Sequence, residues 1–199
     1  MMVILDNGHG HTTPGKRSPI WEDGTQLFEW EFARDIVKRV HAGLQRLSID
    51  SIILVPEAAD VRIKTRANRT NELYRKYPNS FLISVHGNWH KDPRSNGWEV
   101  FVYTDRTRSK NLAEGFFKAA MKHLPEFKMR QGNGTVYKIE NFGILRDTNC
   151  PAILTENLFY SNREECRFML SDEGQERIAK LHVEGILNFI QYNYEKDYF

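Results

Sequence analysis

This chain of 199 residues is poor in cysteine, in long apolar runs and in surplus charge. Two cysteines, Cys150 and Cys166, are too few for a disulfide framework or a cysteine-built metal site. No apolar run approaches the roughly 20 residues of a membrane-spanning helix. The formal net charge is only +2, with Lys and Arg scattered rather than blocked, so nothing points to nucleic acid. A strand-like run occupies the N-terminus, where a secretory signal would carry its charged and apolar regions. The expectation is a protein made in the cytoplasm, which reaches a substrate beyond the membrane only after release. Repeats, low-complexity segments and linkers are also lacking. That leaves one domain over residues 1–199, expected to be monomeric. Hydrophobic residues at 40% and charged residues at 27% are ordinary for a globular chain with a sizeable core.

What is present begins with Val3-Ile4-Leu5-Asp6-Asn7-Gly8-His9-Gly10. An apolar strand over 2–7 runs into a glycine-bracketed histidine. Phe81-Leu82-Ile83-Ser84-Val85-His86-Gly87 has the same form, a strand over 80–86 ending in His-Gly. Further strands are expected over 50–56, 97–104, Phe142–Leu145 and Ala152–Glu156. Helices are expected over 27–47, 107–124 and 162–195, from apolar residues at three- and four-residue spacing, and over 60–77, a polar and Arg-rich stretch. Residues 10–25 and 125–141 read as loops; Arg17 and Trp21 in the first are placed to touch a substrate or, for Trp21, to anchor the loop. The alternation of strands and helices predicts an α/β fold. In it a twisted, mostly parallel central sheet carries helices on both faces, and the active site lies at the carboxyl ends of the strands.

In the first helix, Ala33, Ile36, Val37, Val40, Leu44 and Leu47 form one stripe, and stepping back four residues reaches Glu29. Glu31, Arg34, Asp35 and Lys38 fall on the polar face. An inward Glu without a basic partner on its own face needs a metal, a hydrogen-bond network or a raised pKa. The helix over 60–77 is polar, and Arg62, Arg66 and Arg69 read as a solvated face. Two strand-end histidines and an inward Glu make a His9, Glu29, His86 set, and two His with one Glu is a known zinc arrangement that leaves a position open. Glu156 ends the run Pro151-Ala152-Ile153-Leu154-Thr155 and is placed to move the proton of an attacking water. Arg146, at the end of the strand expected before it, is placed to pair with Glu156 or to stabilise an oxyanion. The bland alternative stays open: a histidine after a strand is more often structural or solvated than a ligand. His11 and His90 are alternative ligands, Glu140 is a rival base, and His41, His123 and His182 read as surface or packing residues.

These residues also carry a family resemblance. Asp6-Asn7-Gly8-His9-Gly10 is similar to Asp-Pro-Gly-His-Gly, and Glu29, eight residues before Val37, matches a Glu at a first helix start. Ser84-Val85-His86-Gly87-Asn88 is similar to Ser-Ile-His-x-Asn, and Gly97-Trp98-Glu99 to Gly-x-Glu. The most specific match is Pro151-Ala152-Ile153-Leu154-Thr155-Glu156-Asn157-Leu158-Phe159-Tyr160-Ser161-Asn162, against Pro-Ala-x-Leu-x-Glu-x-x-Phe-x-Ser-Asn. Over nearly its whole length the chain resembles the zinc-dependent N-acetylmuramoyl-L-alanine amidases of the Amidase_3 type, found in bacterial cell-wall hydrolases and phage endolysins. Two positions depart: Asn7 stands for the usual Pro, and His11 for a common Gly.

The resemblance implies one Zn²⁺ per chain on His9, Glu29 and His86, with Glu156 as catalytic carboxylate and Asn88 and Glu99 at the substrate. It implies peptidoglycan or a muropeptide as substrate, cut at the amide between the lactyl group of N-acetylmuramic acid and L-alanine. A zinc peptidase acting within the stem peptide and a catalytically silent peptidoglycan-binding or regulatory domain are the rival readings. A phage lysis enzyme and a cytoplasmic recycling enzyme are both compatible with the resemblance.

Overall fold

The computed structural model describes residues 1–105 and 107–198. Its centre is a six-stranded sheet. In chain order the elements are β1 (Val3–Asp6), α1 (Glu29–Arg46), β2 (Ser51–Ile53), α2 (Ile63–Lys76), β3 (Phe81–Asn88) and β4 (Trp98–Val102), then α3 (Thr107–His123), β5 (Lys138–Ile139), α4 (Gly143–Arg146), β6 (Ala152–Phe159), α5 (Arg163–Leu170) and α6 (Asp172–Tyr198). The strand order is β2-β1-β3-β6-β4-β5. The pairs among β2, β1, β3 and β6 are parallel, β4 runs antiparallel to β6, and β5 is parallel to β4. The expected mostly parallel sheet is therefore present.

Strand alternation splits the core between the two faces of the sheet. Val3, Leu5, Ile83 and Val85 point to one face, where Ile36, Val37 and Val40 of α1, Phe116 of α3 and Ile178 and Ile186 of α6 cover them. Ile4, Leu82 and Leu154 point to the other, under Ala67 of α2 and Ile144 and Leu145 of α4. Strands buried on both faces read as continuous apolar runs, which is why β1 and β3 stood out in the sequence.

Three expected elements differ. Phe142–Leu145 is not a strand: Gly143–Arg146 forms one helical turn, closed by Arg146 N donating to Phe142 O and Asp147 N to Gly143 O. The extended residues are instead Lys138–Ile139, inside the segment read as a loop. The helix expected over 162–195 is two helices. Ser171 is extended between them, and its Oγ accepts from Gly174 N to start the second.

Candidate active site

The parallel strands deliver their last side chains to one edge. His86 of β3 lies beside Glu156 of β6, and Glu156 beside Glu99 of β4. Neighbouring strands are about 4.8 Å apart, so these residues stand in a row across the edge. Just beyond His86 the β3–β6 register shifts by a bulge, and Leu158 takes a left-handed φ of 72°. A bulge at this level re-aims the strand ends. The carboxylate of Glu165 fastens the same place, accepting 2.7 Å hydrogen bonds from Gly97 N before β4 and from Phe159 N of β6.

Glu29 enters from below as the first residue of α1. Its N–H donates to Lys16 O at 3.0 Å, so the loop caps the helix through its backbone. Its side chain is almost fully buried, with Oε1 2.9 Å from His86 Nδ1 and 3.4 Å from His9 Nε2. Tyr160 Oη donates to Oε2 at 3.2 Å, and Lys16 Nζ stands 3.9 Å away. One ligand atom from each of His9, Glu29 and His86 falls within 4.8 Å of the others. Burial alone would raise the Glu29 pKa, but His86 and His9 outweigh it and hold the carboxyl well below its ordinary range. Burial pushes the His86 imidazole down, against the pull of Glu29. A buried anion facing two imidazoles suits a divalent cation that takes neutral His and ionised carboxylate.

Glu156 has a different environment. Its Oε2 is buried and has no hydrogen-bond partner. Burial first, and then the charge of Glu29, push its pKa well above the ordinary carboxylate value, with Lys16 acting in opposition. An unpartnered buried carboxylate oxygen is costly unless something else uses it. Beside it, Glu99 is fully engaged: Asn88 Nδ2 donates to it at 2.9 Å, Arg130 Nε lies 2.8 Å away and Lys138 is ion-paired to it.

Other candidates fall away from this edge. Arg146 does not meet Glu156. It sits on α4 with its guanidinium forked onto Asp147 (2.7 and 3.1 Å), beside a cavity of about 310 Å³ lined by Cys150, Pro151 and Ala152. Ala152 opens β6 four residues before Glu156, or about 13 Å along the strand. The one-turn helix in place of the expected strand is the reason. His11 is exposed and edge-on to Trp30. His90 Nδ1 accepts from Asp92 N and contacts Ser95 Oγ. His41 bonds Ser51, His123 bonds Glu184, and His182 is wholly buried. Glu140 is exposed. Trp21 is an anchor, with Nε1 donating to Cys166 Sγ at 3.2 Å under the guanidinium of Arg163. Both cysteines are free thiols.

Two arginines read as solvated are buried. Arg66 is 4% exposed and grips Asp6 with Nη1. Arg34 is 8% exposed and donates to His9 O and to Glu57 O, so it fixes the loop that carries His9. Periodicity gave no sign of either role, because the partners lie on other elements.

The sequence profile of the N-acetylmuramoyl-L-alanine amidase family matches residues 3–188. An endolysin of Bacillus phage SPP1 is 27% identical over 194 residues, covering 95% of this chain and 66% of that protein. The crystal structure of an N-acetylmuramoyl-L-alanine amidase from Clostridium difficile 630 has a TM-score of 0.83 at 24% identity and covers 96% of both chains. The amidase AmiC2 of Nostoc punctiforme has a TM-score of 0.78 at 26% identity, covering 96% of this chain and 97% of that one. The chain spans about two thirds or less of the length of the curated relatives it matches. With the profile running from the first strand into the last helix, the chain belongs to the N-acetylmuramoyl-L-alanine amidase family.

Proposed function

We propose that the chain is a zinc amidase that hydrolyses the bond between the lactyl group of N-acetylmuramic acid and L-alanine in peptidoglycan. The observation that carries the reading is the pairing of two unlike carboxylates at one sheet edge. Glu29 is buried against two imidazoles, and Glu156 has a buried oxygen with no partner. His9, Glu29 and His86 would hold the metal. When bound, zinc supplies Lewis acidity toward the scissile carbonyl and the attacking water. Glu156 accepts a proton from that water as its oxygen bonds to the lactyl carbon. It returns the proton to the alanine nitrogen as the C–N bond breaks, leaving a lactyl carboxylate and a free amine. Asn88, half-buried at the end of β3, and the Glu99 it bonds form the wall beside Glu156 and would contact the substrate there. Arg130 and Lys138 neutralise that wall, which lets it lie against a carboxylate-bearing stem peptide.

No helix among the described residues is long and apolar enough to cross a membrane. We place the site of action at the cell wall, after release from the cell that makes the protein, as the similarity to a phage endolysin suggests. The experiment is digestion of purified peptidoglycan with and without a chelator, with new termini identified by mass spectrometry. The expected products are free amino-terminal alanine and intact muramic acid, lost on chelation and restored by zinc. New termini within the peptide would replace the reading with a peptidase. Zinc binding without any release would leave a binding domain.

A further inference from the structure

Behind the metal ligands four groups are joined in a buried line. Arg66 Nη1 donates to both oxygens of Asp6, at 3.0 and 2.7 Å. Ser84 Oγ lies 2.6 Å from Asp6 Oδ2, and His86 Nε2 lies 3.1 Å from Ser84 Oγ. On the other side of the ring, Nδ1 is 2.9 Å from Glu29 Oε1. Asp6 and Ser84 have no exposure and Arg66 has 4%, so the line is closed to bulk water. The strands explain the placement. Asp6 and Ser84 are register partners on β1 and β3, and Ser84, two residues before His86, shares its face of the sheet.

The protons in this line can be counted. Asp6, gripped by a guanidinium, is a carboxylate and only accepts. The single hydroxyl proton of Ser84 is therefore committed to Asp6. Ser84 Oγ can then only accept from His86, so Nε2 carries the ring's proton. A neutral imidazole is left with its lone pair on Nδ1, which faces a second acceptor, Glu29 Oε1. Two acceptors facing each other at 2.9 Å repel unless a cation serves both, and His9, Glu29 and His86 are the residues that would hold one. Gly8 helps hold the ring: a Cβ at that residue would lie 2.6 Å from His86 Cε1.

We propose that Ser84 and Asp6 are positioning residues that fix His86 in its Nε2–H form and so present Nδ1 to the metal. Arg66 holds Asp6 in place through the hydrogen bonds of Nη1 to both its oxygens. The inference rests on the metal reading above and adds residues outside the ligand set. Groups that orient a metal-bound histidine commonly change metal affinity by about 10- to 100-fold when removed.

The test combines zinc titration against a chromophoric chelator with imidazole nitrogen NMR, on the wild type and Ser84→Ala. The wild type should bind one zinc with a proton on His86 Nε2 and none on Nδ1. Ser84→Ala should keep the far-ultraviolet circular dichroism of the wild type and bind zinc about 10- to 100-fold more weakly. Equal zinc affinity in the two proteins would overturn the positioning role while leaving the metal reading intact. A zinc-loaded wild type with the proton on Nδ1 would overturn it as well, and that spectrum decides even if Ser84→Ala fails to fold. No zinc binding by the wild type would overturn the metal reading itself.

Discussion

Two buried groups outside the site titrate in nearly the same pH range with opposite effects on stability. His182 is wholly buried. Its Nδ1 donates to Ile178 O at 2.8 Å, and its Nε2 therefore accepts from Thr155 Oγ1 at 2.9 Å. Burial lowers its pKa from 6.5 to about 4. Glu165, 3% exposed, has its pKa raised from 4.5 to about 7 by burial, against the two backbone N–H groups and Arg130. For His182 the unfolded chain takes up a proton first, so its contribution is complete above pH 6.5 and is lost as pH falls toward 4. For Glu165 the folded chain holds the proton longer, so its contribution is complete below pH 4.5 and is lost as pH rises toward 7. Between pH 7 and 4.5 each change is roughly 2 kcal/mol, and the two nearly cancel. The perturbation is to remove them one at a time. On acidification from pH 7 to 4.5, Glu165→Gln should lose about 2 kcal/mol relative to the wild type, and His182→Gln should gain about as much. The double variant should follow the wild-type profile. The assay is urea unfolding across that range with chelator present, so that metal binding does not enter. Constant offsets from lost hydrogen bonds do not affect the slopes. Single variants whose profiles run parallel to the wild type would refute the argument.

Three further outcomes are expected. Glu156→Gln should retain zinc and fold while peptidoglycan hydrolysis falls about 10²- to 10⁴-fold, the usual worth of a general base; near-normal turnover would remove Glu156 from that role. Gly8→Ala places a Cβ at a φ of +63° and 2.6 Å from His86 Cε1. It should cost roughly 1–2 kcal/mol in denaturant unfolding and weaken zinc binding, and an unchanged zinc affinity would count against the tight packing of the ring. Arg146→Ala should leave hydrolysis unchanged, because its guanidinium is paired with Asp147 away from Glu156; a large fall in kcat would bring Arg146 back to the site.

The clustering of His9, Glu29 and His86 was legible because each of them sits where a local pattern breaks. His9 and His86 end apolar runs, and Glu29 continues a helical stripe of apolar residues. Those patterns survive in the fold because β1 and β3 are buried along nearly their whole length and α1 along one face. Apart from the break at Ser171 in the last helical stretch, the elements that were misread are short. A two-residue strand and a one-turn helix carry no period to detect, and the error over Phe142–Leu145 moved Arg146 to the wrong place. Arg34 and Arg66 were misread for another reason. Each stands at a polar position on its own helix, and what buries it is a carbonyl or carboxylate from β1 or the loop after it. A polar helical position next to a buried acid in another strand was the available clue for Arg66, since Asp6 at the end of an apolar run also needed a partner.

The distribution of countercharges at the sheet edge distinguishes the acids more sharply than their positions do. Asp6 is matched by Arg66, Glu99 by Arg130 and Lys138, and Glu29 by the two imidazoles and, in the proposed holoenzyme, the metal. Glu156 stands between His86 and Glu99 in register, yet its buried oxygen is left without a partner. A structural carboxylate in that position would be stabilised by a donor, yet Arg130, in the segment before β5, and Lys138 of β5 are both directed to Glu99 instead. With Glu29 nearby, the charge on Glu156 is also opposed by a like charge, which favours the protonated form. A bound cation would offset that repulsion and lower the cost of ionising Glu156. The carboxylate that would gain most from a bound metal is then the one with an unpartnered oxygen, and under the proposed reading this coupling would tie the choice of base to the three residues that would hold the metal.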